Sequence, residues 1–149
     1  MHDRFTNHWL TRNLSHDAKM ALYEIGDGIV GRADDTILAA GEPNVFMYLL
    51  LEGACKGYLP TGRGRNIART LGHRGPGDLL GEYSFMDSFR PTAGVTASTP
   101  GLMLQVGHEV FRKWLDSDAD IASIVYRNIL GYLVVRLRAQ DEELACLMF

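Results

Sequence analysis

Hydrophobic and polar positions change period twice along the chain. Around residues 5–30 the pattern is helical in part. Ser15-His16-Asp17-Ala18 reads as an N-cap with an acidic first turn, followed by Met20, Ala21 and Tyr23 or Glu24, and Gly26 and Gly28 close the segment. From about 31 to 107 the apolar runs become short and glycine-punctuated. Candidate strands are Thr36–Ala39, Phe46–Leu51, Ala54–Leu59, Asn66–Leu71, Leu79–Leu80, Gly94–Ser98 and Leu102–Val106. Turn signals at 41–44, 52–53, 60–62, 75–78 and 99–101 separate them. Gly75-Pro76-Gly77-Asp78 has Pro second and Gly third, which predicts a type II turn. Strands this short and this frequent predict a small antiparallel barrel or sandwich.

After residue 107 the helical period returns. His108–Leu115 predicts a short helix, and Asp116-Ser117-Asp118 can cap a longer one running to about residue 147. Along it Tyr126, Leu130, Leu133, Leu137, Gln140, Leu144 and Leu147 alternate spacings of four and three, a heptad seam with one polar member. Such a stripe packs either on the chain's own barrel or on a partner helix. Arginines and acids flank it, and a polar residue in a seam fixes register. The expectation is therefore a homodimer through the C-terminal helix.

Length and composition bound the rest. A chain of 149 residues, 46% hydrophobic, suits one domain, 1–149, with an N-terminal helical segment (1–30), a β region (31–107) and C-terminal helices (108–149). The net charge of −3 offers no electrostatic case for direct DNA binding. Cys55 and Cys146 stand far apart with no CxxC spacing, which fits neither a disulfide framework nor a zinc site and points to the cytoplasm. The N-terminus lacks the apolar core of a signal peptide. No run reaches the roughly 18–20 apolar residues of a membrane span. Catalytic motifs such as a Walker loop, HExxH or GxSxG do not occur, so an enzyme is not expected. His2, His8, His16, His73 and His108 sit apart, His73 reads as a surface residue, and neither a metal nor a haem cofactor is implied.

The stretch from Gly75 to Ala93 carries the most chemistry. After the turn and the apolar pair Leu79-Leu80 comes a one-turn helix opened by Gly81 and Glu82. A helix start exposes backbone N–H groups suited to an anion. The carboxylate can accept from a sugar hydroxyl, and Arg90 and Thr92 follow within a dozen residues. Together these make a plausible cradle for a phosphorylated sugar. This stretch resembles the phosphate-binding cassette of cyclic-nucleotide-binding domains, in which Gly-Glu and a short apolar helix precede Pro-Arg-x-Ala. Ala40-Gly41-Glu42-Pro43 and Met47-Tyr48-Leu49-Leu50-Leu51-Glu52-Gly53 resemble the family's earlier motifs, and the likeness covers roughly residues 10–145.

The resemblance implies an α+β fold: a jelly-roll-like β-roll, a double-stranded β-helix, with an N-terminal helix and a long C-terminal helix. It also implies a ligand-sensing regulatory module for cyclic AMP or cyclic GMP that signals through its C-terminal helix. In catabolite-activator-type proteins a helix-turn-helix follows that helix. Here the chain stops at Phe149, so a sensor domain without that output is expected. Gly81 would permit close backbone approach, Glu82 would accept from the ribose 2′-hydroxyl, and Tyr83 and Ser84 would offer N–H groups to the phosphate. As a helix-capping acid alone, Glu82 would contribute about 0.3–1 kcal/mol. Phe85 and Met86 read as core. The family's phosphate arginine falls nine residues beyond Glu82, on Pro91, which puts Arg90 one position early. A one-residue slip in extended chain turns a side chain to the opposite face, unless a bulge restores it. Thr92 and Ala93 keep family register, and the threonine is associated with cyclic GMP or is simply a strand residue. Arg63, Arg65 and Arg69 flank the pocket or form a solvated surface. The competing expectation is a degenerate domain that kept fold and dimer helix, lost the ligand, and acts as a protein-interaction module.

Overall fold

The computed structural model describes residues 2–60 and 69–148. Helices open the chain: α1 (His2–Thr6), a 3-10 turn (Trp9–Thr11) and α2 (His16–Ile25). Ser15 caps α2 as expected, its hydroxyl accepting the Ala18 N–H at 3.2 Å. The strands β1 (Asp27–Gly31), β2 (Thr36–Leu38), β3 (Phe46–Glu52), β4 (Cys55–Leu59), β5 (Arg69–Arg74) and β6 (Leu79–Leu80) follow. Then come α3 (Glu82–Asp87), β7 (Gly94–Ala97), β8 (Gly101–Gly107), α4 (His108–Asp116) and α5 (Ala119–Met148).

The strands form two antiparallel four-stranded sheets, ordered β1-β8-β3-β6 and β2-β7-β4-β5, facing each other as a β-roll. β3 explains both cores. Its run Phe46–Glu52 is nearly all apolar because both faces are covered. Met47, Leu49 and Leu51 pack outward with Leu22, Phe111, Val125, Ile129 and Tyr132 of the helices. Tyr48 and Leu50 point inward with Leu38, Cys55, Leu80, Val95 and Met103. Leu79 and Leu80 divide in the same way.

The β region begins at Asp27, not at residue 31. β1 pairs along its whole length with β8, yet it carries glycines at 28 and 31 and leaves Val30 exposed, so no alternating signal marks it. The fifth strand, expected at 66–71, runs from Arg69 to Arg74, and residues 66–68 lie outside the description. The expectation for the arginine loop likewise falls at Arg63 and Arg65 outside the described residues, and Arg69 opens β5. The 75–78 turn forms as expected: Gly77 has φ +96°, and Asp78 N–H donates to the Gly75 carbonyl at 3.0 Å.

α4 and α5 match their expected spans, and Asp118 caps α5 by accepting from Asp120 and Ile121 N–H. The face α5 lays on the roll is not the heptad seam. Its buried residues are Val125, Asn128, Ile129 and Tyr132. Asn128 donates to the Leu10 and Arg12 carbonyls at 2.9 and 2.8 Å, fastening α5 to the N-terminal segment. Of the seam, Tyr126 and Leu133 pack partly against this core, while Leu130, Leu137, Leu144 and Leu147 are exposed. No helix among the described residues is long and apolar enough to cross a membrane.

Candidate functional site

A cavity of about 140 Å³ opens between β6, the start of α3 and the chain entering β7. Gly81, Glu82, Tyr83 and Ser84 line one side, and Pro91, Thr92 and Ala93 line the other. Leu38, Leu80 and Val95 form an apolar floor shared with the inner core. Tyr83 and Thr92 stand exposed at the rim. Six of the seven residues expected at the site therefore meet in one place.

The turn into α3 has a specific backbone cause. Gly81 sits at φ +81°, and a Cβ there would run into the carbonyl oxygen of Phe46. Only glycine fits, because β3 passes directly beneath the turn. Three side chains from three helical segments then hold the carbonyls around it. His8 Nε2 donates to Asp78 at 3.0 Å, the Tyr132 hydroxyl to Leu79 at 3.2 Å, and His108 Nε2 to Gly81 at 3.1 Å. His8 Nδ1 accepts the Leu10 N–H, so the ring is neutral, and burial lowers its pKa to about 4. Burial lowers that of His108 too. Tyr132 belongs to α5, so the long helix is tied by a hydrogen bond to the strand that leads into the cavity.

Glu82 is buried at 8% exposure, and desolvation raises its pKa from 4.5 to about 7. Its own backbone amide and the Arg74 guanidinium oppose that rise, and Asp78 adds to it. Ser84 is also buried, and its hydroxyl donates to the Phe89 carbonyl at 2.8 Å, which folds the following turn back onto α3. Phe85 joins the core as expected, but Met86 is exposed: α3 is six residues long and buries only one face.

Arg90 does not line this cavity. Its Nη1 donates to the Gly41 carbonyl at 3.3 Å, and its side chain borders a wider groove on the far side of α3 with Phe46, Phe89, His108 and Arg112. Pro91 takes the cavity side, and its carbonyl accepts the Gly41 N–H at 2.8 Å. Arg90 and Pro91 lie in irregular chain between α3 and β7, and there the proline faces the cavity while the arginine faces the other groove.

The cavity has a basic residue that sequence reasoning passed over. Arg74 closes β5 and lines the cavity with Glu82. The available signal was its place immediately before the turn at 75–78, since the strand expected at 66–71 stopped short of it. Its orientation depends on pairing with Cys55, which no local pattern reveals.

The family model for the cyclic nucleotide-binding domain matches residues 31–118, more than half of the chain. No curated protein matches this chain. Solved structures with the same fold include a cyclic nucleotide-binding domain from Methylobacillus flagellatus KT, with TM-score 0.83, 19% identity, and coverage of 95% of this chain and 78% of that one. The N-terminal domain of a transcriptional regulator from Streptomyces coelicolor A3(2) is 26% identical, with TM-score 0.73 and 95% coverage of both chains. The Catabolite Activator Protein of Thermus thermophilus is 23% identical with TM-score 0.75, over 94% of this chain. The present chain spans 63% of that protein's length.

Proposed function

The chain belongs to the cyclic nucleotide-binding domain family, and on that footing we propose that it is a cytoplasmic regulatory module that binds cyclic AMP or cyclic GMP and signals through α5. The observation that carries this reading is the convergence of Gly81–Ser84 and Pro91–Ala93 on one cavity that holds a buried carboxyl group. A buried acid is costly unless a partner uses it. A ribose hydroxyl donating to Glu82 would be such a partner. The reading is regulatory: the described residues of the cavity are recognition groups, a carboxyl, a guanidinium and the backbone at the start of α3.

Signalling needs a ligand whose affinity differs between two arrangements of the helix. Tyr132 gives a route, since it binds the Leu79 carbonyl just ahead of Gly81 and Glu82. A homodimer through α5 would carry the change outward. Supporting it, Leu130, Leu137, Leu144 and Leu147 are all more than half exposed along one helix.

A second reading, a domain that has lost its ligand and serves as a dimeric interaction module, is favoured by one observation: Pro91 stands where the family arginine falls, with Arg90 facing the other groove. Calorimetric titration with cyclic AMP and cyclic GMP separates the two. Saturable heat with a rise in melting temperature supports the sensor, and neither signal from either nucleotide supports the interaction module.

A further inference from the structure

We infer that Arg74, on β5, receives the anionic group of the ligand in place of the arginine absent at position 91. The inference rests on the nucleotide-sensing reading of the same cavity. It begins from strand register. Cys55 of β4 lies opposite Arg74 on one side and Ala97 on the other. Directly opposed residues in an antiparallel ladder share a face. Cys55 and Ala97 are 2% and 3% exposed inside the roll, so Arg74 starts from that inner face, and it lines the cavity as a half-buried residue.

Arg74 lines the cavity beside Glu82 and is the one basic residue to do so among the described residues. Without it the cavity would be acidic: Glu82 lies within, and the field of Asp78 reaches it. An anion needs a cation there, and the 91–93 side supplies Pro, Thr and Ala.

The guanidinium is also available. Among the described residues Arg74 forms no ion pair. Its recorded hydrogen bond is a local one, from Nη1 to the His73 carbonyl at 3.3 Å. A guanidinium has five N–H donors in a planar fork that matches a phosphate. Its charge already acts on the site, lowering the pKa of Glu82, Tyr83 and Cys55 against the effect of burial. Arg90, by contrast, is bound to Gly41 on the other side of α3.

The test is binding of cyclic AMP and cyclic GMP, and of the uncharged nucleosides adenosine and guanosine, to wild type, Arg74→Gln, Arg74→Lys and Arg90→Gln. NMR titration reads the weak nucleosides, and titration at two salt concentrations reads the charge. Arg74→Gln should weaken cyclic-nucleotide binding by roughly ten- to hundredfold, flatten its salt dependence and leave nucleoside binding unchanged. Arg74→Lys should recover part of the loss, and Arg90→Gln should match wild type. An equal loss for nucleosides and cyclic nucleotides, with the salt dependence intact, would overturn the inference, since the arginine would then serve the base or the fold. So would wild-type affinity in Arg74→Gln, or the loss appearing in Arg90→Gln. A wild type that binds neither cyclic nucleotide would remove the sensing reading itself, and the inference with it. Thermal melts of each ligand-free variant keep a folding defect apart from a binding defect.

Discussion

Replacing Glu82 by glutamine separates the cost of burying a carboxyl group from the use made of it. In the free protein burial raises its pKa from 4.5 to about 7, with its own amide and Arg74 opposing. Between those values the folded chain keeps a proton that the unfolded chain has released. Folding then takes up a proton, so stability falls as pH rises. The contribution of Glu82 is complete below pH 4.5 and lost above about pH 7. At 1.36 kcal/mol per pKa unit, the shift amounts to about 3 kcal/mol. Glutamine does not ionise and escapes this loss. Near pH 8 the ligand-free variant should exceed wild type by up to about 3 kcal/mol, or roughly 6–12 °C in melting temperature. Near pH 4.5 the two should nearly coincide. His8 has the opposite slope. Its lowered pKa makes stability fall as pH drops from 6.5 towards about 4, but it is the same in both proteins and cancels in their difference. Affinity should move against stability: glutamine is a weaker acceptor, so binding should weaken by roughly tenfold or more. Calorimetric melts at the two pH values, with titrations at pH 8, measure both effects. A stability difference that is the same at both pH values would refute the argument, because the burial cost would then not be one of ionisation.

Three further outcomes test the frame around the site. The pair Leu137→Glu with Leu144→Glu, both exposed and clear of the roll, should convert a homodimer to a monomer by light scattering while circular dichroism stays unchanged; a monomeric wild type would remove the α5 interface. Gly81→Ala should cost clearly more than the about 1–2 kcal/mol of a positive φ alone and weaken binding, because its Cβ also meets the Phe46 carbonyl. Gly77→Ala, at a positive φ but in open space, should cost only about 1–2 kcal/mol in a denaturant melt and leave affinity unchanged.

Local pattern was enough for much of this protein. Ser15 and Asp118 cap the helices they were expected to cap, Leu79–Leu80 is a strand, and Gly75–Asp78 is its turn. Six of the residues lining the cavity could be picked out because they lie in two short contiguous segments, one at the start of α3 and one between α3 and β7. The shift of Arg90 from family register put its reach to the cavity in question, and in the irregular chain before β7 it faces the other groove. β1 and the extent of β5 were not readable. Glycine-rich strands held by their partners leave little periodicity of their own.

Three properties were decided only by the tertiary structure. The heptad spacing marks an apolar stripe on α5, but contact with the N-terminal segment and the roll selected Val125, Asn128, Ile129 and Tyr132 as the packed face. Glu82 is an acid in any reading, yet the fold buries it and so raises its pKa. Arg74 is eight positions before Glu82 and beyond the strand expected at 66–71, where nothing in the local pattern singles it out. Pairing with Cys55 directs it inward, and closure of the roll brings it to the carboxyl group. Caps, turns and short motifs depend on neighbours a few residues away, and the chain itself states those. The facing of a strand, the packed side of a long helix and the charge state of a buried acid depend on partners distant in sequence, and only the closed fold brings them together.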